Sequence, residues 1–340
     1  MMGLTDCVLW SADRIEPLVN QLSRDVIRAC QVELPQGGSV VTKINGKKCR
    51  IIRKNIGRHE AIGLSYDKNR INSKKLMASE MDVFFSAATV IESAIQRAED
   101  RTRRLLHNLK TLTAKTSQEI FLIAQQDALM MNPREALPYV AREIADNPET
   151  AARALLEILK HQAAQKAEYT AFDRLSGKLK VDAIEQHEIH RVLMNVFYLF
   201  FGEFIEKKVR VDVQPTFLQA KFDYDSIHVC IYYLVENAVK YTRPKSDFSV
   251  SCRDDGNGFL DIRFSMESII IESGEREKIF DEGYSGINAV SSELNGAGLG
   301  LYLARAMARL NGGQLNVIPG LAIGGTKYAR NAFVLTLPTR

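Results

Sequence analysis

The sequence predicts a multidomain α+β chain: a small N-terminal α+β module, a long helical hairpin and a C-terminal α/β sandwich. Three patterns predict it. Apolar runs near the N-terminus meet at an Asn-Gly dipeptide, the middle third repeats apolar residues every 3.5 positions, and the last third alternates strand-like and helix-like runs. At 340 residues the chain has room for two or three domains. Apolar residues make up 46% and charged residues 25%, which excludes a disordered chain. The longest apolar run, 229–235, is far short of the roughly 20 residues of a membrane-spanning helix. Asp6 and Asp13 stand where a secretory leader would be basic and then apolar. Cys7, Cys30, Cys49, Cys230 and Cys252 are scattered, with no Cys-x-x-Cys pair. They point to free thiols in a reducing cytoplasm, and against a zinc site or a disulfide scaffold.

Residues 1–77 read as the first module. The positions of Ile15, Leu18, Val19, Leu22, Val26 and Ile27 predict an amphipathic helix over 11–32, ended by Leu34-Pro35-Gln36-Gly37-Gly38. Strands at 40–44 and 49–52 join across Asn45-Gly46, because both residues tolerate the positive φ of a tight hairpin. Residues 61–66 add a third strand. The module is basic: residues 1–80 hold 14 Lys and Arg against 8 Asp and Glu. Lys43, Lys47, Lys48, Arg50, Arg53, Lys54 and Arg58 crowd the hairpin. Such a patch suits an acidic protein or nucleic acid, with a solvated hairpin face as the alternative.

Residues 78–180 read as the helical hairpin. Phe84, Ala88, Ile91, Ile95, Ala98, Thr102, Leu105, Leu109, Leu112 and Thr116 follow a 4-3-4-3 spacing, the seam of coiled-coil-like packing along one helix over 78–130. Asn132-Pro133 breaks it, and residues 134–146 form a short helix. Asn147-Pro148 opens a second long helix, 148–175, with Ala151, Leu155, Ile158, Leu159, Ala163 and Phe172 on one side. Such a hairpin buries its stripe against a second copy, which predicts a homodimeric four-helix bundle.

Residues 181–340 read as the sandwich. A helix at 184–208 carries five aromatics. A strand near 209–213, a helix at 225–242, strands at 247–252 and 259–265, a helix at 299–310, and strands at 314–318 and 331–337 follow.

Four segments then fall in an order that resembles the ATP-binding domain of the sensor histidine kinase family, related to Hsp90-type and gyrase-type ATPases. Leu234-Val235-Glu236-Asn237-Ala238-Val239-Lys240-Tyr241-Thr242 resembles its Asn-bearing box, and Lys278-Ile279-Phe280 its Phe box. Gly296-Ala297-Gly298-Leu299-Gly300-Leu301 resembles its Gly-rich box, and Gly324-Gly325-Thr326 with the closing strand its C-terminal end. The resemblance implies that ATP and Mg²⁺ are bound. Asn237 would ligate the Mg²⁺, an oxygen ligand suited to a hard cation. Lys240 would meet a phosphate, and Tyr241 would border the adenine. Gly296, Gly298, Leu299 and Gly300 would bring backbone N–H groups and a helix N-terminus to the phosphates, and Thr326 would close the site.

Leu106-His107-Asn108-Leu109-Lys110-Thr111 resembles the family's phosphoacceptor box. The seam puts Leu105 and Leu109 inside and His107 outside, where an imidazole can act as a nucleophile. Thr111 matches a position that supports dephosphorylation in the family.

The match has gaps. Asp254-Asp255-Gly256-Asn257-Gly258 has the letters of the Asp-x-Gly-x-Gly box, but it reads as a hairpin turn. The register that fits both neighbouring boxes puts Met266 at the adenine-reading Asp, and Ser268 and Ile270 at the two glycines. Losing that Asp forgoes roughly 1.5–3 kcal/mol, about one to two orders of magnitude in affinity. Tyr233 replaces an Asn, Ser285 an Arg, Asn108 the acid beside the phosphoacceptor, and Leu112 a Pro, so the first helix should run straight.

The resemblance implies ATP-dependent phosphorylation of His107 and transfer to an Asp of a response-regulator receiver domain. Two other readings stay open. One is a degenerate relative acting as phosphotransferase or phosphatase. The other is a non-enzymatic partner-binding scaffold.

Overall fold

The computed structural model describes residues 5–130, 132–175, 184–294 and 296–339. They divide into two compact units, 1–104 and 105–340. The boundary read at 180/181 lies outside the described residues. Among them, no helix is long and apolar enough to cross a membrane.

In the first unit, β1 (Asp6–Ser11), β2 (Val19–Asn20), β3 (Gly38–Ile44), β4 (Lys47–Ile56) and β5 (His59–Ser65) form one antiparallel sheet, ordered β2-β1-β5-β4-β3. Asn45 and Gly46 take φ of 54° and 76° between β3 and β4, the tight hairpin the dipeptide predicts. α1 (Arg24–Glu33) follows β2, and α2 (Lys68–Asn72) follows β5. Strand alternation feeds two cores. Val8, Ile51 and Ile62 pack with Cys30 of α1. Cys7, Leu9, Ile52 and Ala61 pack with Met77, Met81, Phe85 and Ala88 at the start of α3 (Lys74–Ile123). A sheet covered on both faces is apolar on both, which hides the alternation in the sequence.

The helix expected at 11–32 is corrected: only Arg24–Glu33 is helical. Pro17 cannot donate inside a helix. The chain instead lies alongside β1, with Leu18 N donating to Leu9 O at 2.8 Å and Gln21 N to Cys7 O at 3.0 Å. Ile15 is fully exposed.

The basic hairpin is largely tied into its own unit. Arg53 pairs with Glu60 (2.6 Å), Lys54 with Asp82, and Arg58 with Asp13 (2.9 Å) and Glu92 (2.7 Å). Arg50 Nε donates to Arg70 O at 3.1 Å and Ile71 O at 2.9 Å. Lys43, Lys47 and Lys48 are exposed.

The second unit starts within α3, which continues unbroken past Leu112 to Ile123. α4 (Gln126–Leu129), α5 (Pro133–Asp146) and α6 (Pro148–Leu175) follow. Ala167 and Ala171 of α6 join the main core, their small side chains letting α6 approach α9 (Tyr224–Tyr241) closely. On α6, Ala151, Ala154, Ala167 and Ala171 are buried within the chain, while Leu155 and Leu159 of the expected apolar stripe are exposed on the single chain.

The sandwich places β6 (Glu185–Glu188), α7 (Ile189–Phe197), α8 (Phe201–Glu206), β7 (Arg210–Val213) and β8 (Gln219–Phe222) ahead of α9. β9 (Asp247–Asp254), β10 (Phe259–Ile269), α10 (Ile287–Ser291), α11 (Gly300–Leu310), β11 (Gln314–Ile318) and β12 (Tyr328–Pro338) follow. The sheet order is β11-β12-β10-β9-β7, antiparallel except for the parallel β7–β9 pair. One core joins this sheet to α7, α9 and α11. The helix expected at 184–208 is corrected to a strand and two helices. Residues 185–188 pair with β8, and the chain turns at 198–200 so that Phe197 and Phe204 both meet Phe248, at 5.6 and 5.4 Å between centroids.

Candidate functional site

α9 carries one wall of a cleft. Its N-terminus is fixed by Asp223, whose carboxylate accepts from Ser226 N at 2.9 Å. At its C-terminus the Lys207 ammonium donates to the carbonyls of Val239 and Lys240, the latter at 3.1 Å. Ile227, Cys230, Ile231, Leu234, Val235 and Ala238 are buried. The spacing leaves Tyr233, Glu236, Asn237, Lys240 and Tyr241 on the cleft side.

The Gly-rich segment forms the facing wall of this cleft of about 350 Å³. Gly283 N donates to Gly298 O at 3.1 Å. Gly298 has φ of 67°, and a Cβ there would lie 2.5 Å from Gly283 C and 2.6 Å from Tyr284 N. A Cβ on Gly296 would lie 2.8 Å from Lys240 Nζ, and one on Gly300 3.2 Å from Asn237 Nδ2. These glycines are the space that Lys240 and Asn237 use. Ser285 Oγ donates to Gly296 O at 3.1 Å. α11 starts at Gly300 with no side-chain cap, so its first N–H groups stay open toward the cleft. Asn237 Nδ2 is buried and has no hydrogen-bond partner among the described residues. An open helix start, a lysine and an unpartnered amide N–H donor fit the phosphates of a bound nucleotide, and the side-chain oxygen of Asn237 is the atom that could ligate its Mg²⁺.

The other end of the cleft is apolar. Met266, on β10, stands between Phe248 and Asn331 and is 6% exposed. Ser268 Oγ accepts from Asn331 Nδ2 at 2.9 Å. Ile270, Ile271 and Ile279 complete this end. Asp254–Gly258 lies elsewhere, as the β9–β10 turn: Gly256 N donates to Asp254 Oδ1 at 2.8 Å and Asn257 N to Asp255 Oδ1 at 2.7 Å. A buried carboxylate, Glu275, organises the loop beside the Phe box. It accepts from Tyr284 Oη at 2.8 Å and from Ile287 N at 2.7 Å. Arg305 lies 3.5 Å over the Phe280 ring and pairs with Glu277 at 2.8 Å.

A second cavity, of about 240 Å³, opens beside the first. His107, Asn108, Thr111 and Leu112 of α3 line it, with Ala164 and Glu168 of α6 and Tyr232, Tyr233 and Glu236 of α9. His107 is exposed. Thr111 Oγ1 donates to the His107 carbonyl at 3.0 Å, not to its imidazole. Glu168 Oε1 accepts from Asn108 Nδ2 at 3.2 Å and from Tyr233 Oη at 3.5 Å. Burial raises the Glu168 pKa, and these two donors oppose the rise. Burial also pushes Glu236 up to about 7, with Glu168 adding to the rise and Lys240 and Lys160 opposing it. Water reaches the Glu236 side chain through the cleft, which limits that rise.

The two cavities have Asn108, Glu168, Tyr233 and Glu236 in common. Asn237, Lys240, Tyr241, Gly296, Gly298, Leu299 and Gly300 come together around the first, and His107, Asn108 and Thr111 around the second. Thr326 does not join them: its hydroxyl donates to Ile323 O at 2.7 Å within a turn. Glu168 and Glu275 carry no local motif. Only the packing of α6, and of the loop after β10, brings them to the site.

Residues 222–340 match the family described as histidine kinase-, DNA gyrase B- and HSP90-like ATPases. The sensor protein RprX of Bacteroides fragilis is 26% identical over 183 residues, 53% of this chain and 34% of RprX. The histidine protein kinase SaeS of Staphylococcus aureus is 32% identical over 95 residues, 27% of each chain. The solved structure of the mycobacterial sensor histidine kinase MprB, 20% identical, covers 46% of this chain and 99% of its own, with a TM-score of 0.40. The matched segments span about a third or less of the two curated relatives.

Proposed function

We propose, from a C-terminal domain that belongs to the histidine kinase-, gyrase B- and HSP90-like ATPases, that this chain moves a phosphoryl group from ATP to His107 and on to a receiver-domain Asp of a response regulator. One observation carries the reading: the cleft with Asn237, Lys240 and the Gly-rich segment shares four lining residues with the cavity of His107. An exposed imidazole beside such a cleft has a short path to a terminal phosphate.

In this reading Lys240, the N–H groups at the start of α11 and Gly296–Gly300 hold the triphosphate. Asn237 holds Mg²⁺, which when bound neutralises charge on the phosphate oxygens. His107 attacks through a ring nitrogen. Residues 1–77 act as the input or partner-binding module, 78–180 as the dimerisation and phosphotransfer hairpin, and 181–340 as the ATP-binding domain. Exposed Leu106, Leu155, Leu156 and Leu159 support a homodimer, since such a stripe asks for a second copy.

The test is incubation with γ-labelled ATP and Mg²⁺, beside His107→Gln. We expect acid-labile, alkali-stable label on the parent chain, reduced at least a hundredfold in the variant. Label that persists in His107→Gln overturns the assignment of the acceptor. Met266 and Ile270 at the base end favour a second reading, a phosphotransferase or phosphatase that takes no phosphate from ATP. It predicts no label from ATP, and exchange of phosphate between His107 and a phosphorylated receiver domain.

A further inference from the structure

We infer that Glu168, on α6, supplies the carboxylate partner of His107 that the phosphoacceptor segment itself lacks. The inference rests on His107 as the phosphoacceptor and adds a residue to that reading.

The residue after His107 is Asn108, and an amide takes no proton at neutral pH. Two carboxylates line the His107 cavity, Glu168 and Glu236, and the one hydrogen-bonded to the phosphoacceptor segment is Glu168, 60 positions away in sequence. Glu168 lines the same cavity as His107, and Asn108 holds it there: Asn108 Nδ2 donates to Glu168 Oε1 at 3.2 Å. Tyr233 Oη donates to the same oxygen from α9, at 3.5 Å. Both bonds fall on Oε1. Among the described residues none donates to Oε2, and no Lys or Arg pairs with the carboxylate. One oxygen is anchored and the other is free. Asn108 thus acts as a clamp where relatives of the box carry the acid. The position of Glu168 among Ala164, Ala167 and Ala171 on the inward side of α6 fixes its direction. Burial that raises its proton affinity makes it a better base near pH 7.

The lone pair on one imidazole nitrogen forms the N–P bond. The bond from the γ-phosphorus to the β–γ bridging oxygen breaks, and ADP leaves with that electron pair. The proton on the other ring nitrogen passes to Glu168, leaving a phosphohistidine whose ring is neutral and whose phosphoryl group keeps its negative charge, and a carboxylic acid that returns the proton to solvent.

The experiment compares the parent chain with Glu168→Gln, Glu168→Asp and the double variant Glu168→Gln with Asn108→Asp. Two donors are used: γ-labelled ATP with Mg²⁺, and phosphoramidate, which needs no nucleotide site. Glutamine keeps the size of Glu168 and an oxygen for Asn108, so a purely structural role survives it. We expect Glu168→Gln to slow labelling of His107 about a hundredfold or more with saturating donor, with an unchanged thermal midpoint. Aspartate should retain part of the rate, and Asn108→Asp should restore at least tenfold in the Gln background. Parental labelling in Glu168→Gln overturns the inference, as does a Gln variant that the restored acid does not rescue. If the parent is labelled by phosphoramidate alone, the ATP step of the proposed function fails and the same variants decide the role of Glu168 on that donor. No label from either donor overturns both.

Discussion

Asp223→Ala is expected to cost the 105–340 unit about 3 kcal/mol or more of folding stability. Arg174 and Asp223 are both 6% exposed, and the guanidinium donates to Oδ1 at 3.3 Å and Oδ2 at 3.2 Å. Removing Asp223 takes from the buried guanidinium a carboxylate that meets it through both oxygens. The same carboxylate caps α9 through Ser226 N, a bond of about 1 kcal/mol by itself. Asp223→Asn keeps an acceptor for the cap and should fall between Ala and the parent. A unit of this size loses about 2–4 °C of midpoint per kcal/mol, so the alanine variant should melt roughly 6–12 °C lower. Thermal or urea unfolding checks it. A loss under about 1 kcal/mol would show that the pair is solvated and replaceable.

Gly298→Ala is the second large effect, and it falls on binding. Alanine at a φ of 67° costs roughly 1–2 kcal/mol by itself. The new Cβ would also stand 2.5–2.6 Å from the backbone of Gly283 and Tyr284, where nothing flexible can yield. The Gly-rich segment must move away from the loop at 283–284, and the cleft loses its shape. We expect nucleotide affinity to fall at least tenfold, read by displacement of a fluorescent ATP analogue. Gly256→Ala is the control. Gly256 has a similar φ, 76°, but open space around it, in the β9–β10 turn. It should pay the backbone cost and bind as the parent does. If Gly256→Ala abolished binding and Gly298→Ala did not, the Asp254–Gly258 segment would be the nucleotide box after all.

That pair of variants also marks what the sequence could convey. Turn chemistry is local, so Asn45-Gly46 and the β9–β10 turn were legible from a few residues. Asn-Pro at 147–148 marked the start of α6 for the same reason. The segments of α9 and α11 that line the cleft were legible as family-like letters in order. The failures came where tertiary packing overrode a local pattern. Leu18, Val19 and Leu22 have helical spacing, yet Pro17 and pairing with β1 put them at a sheet edge. The aromatics at 197, 200 and 204 fit one helix, yet the core needs a turn between them. The side of α6 that packs within the chain was hidden because alanines, not leucines, face α9. Glu168 and the Arg174–Asp223 pair were invisible for a related reason. Their partners lie 60 and 49 positions away, and no short-range rule ties them together.

The internal pairing of the basic hairpin has a consequence for polyelectrolytes. With Arg50, Arg53, Lys54 and Arg58 engaged inside their own unit, the hairpin cations left without an ion pair among the described residues are Lys43, Lys47 and Lys48. Three cations release about three condensed counterions from a duplex, so the logarithm of affinity would fall with the logarithm of salt at a slope no steeper than about −3. The positive charge that looks like an invitation in the sequence is mostly internal mortar, holding β4 to β5 and to the start of α3.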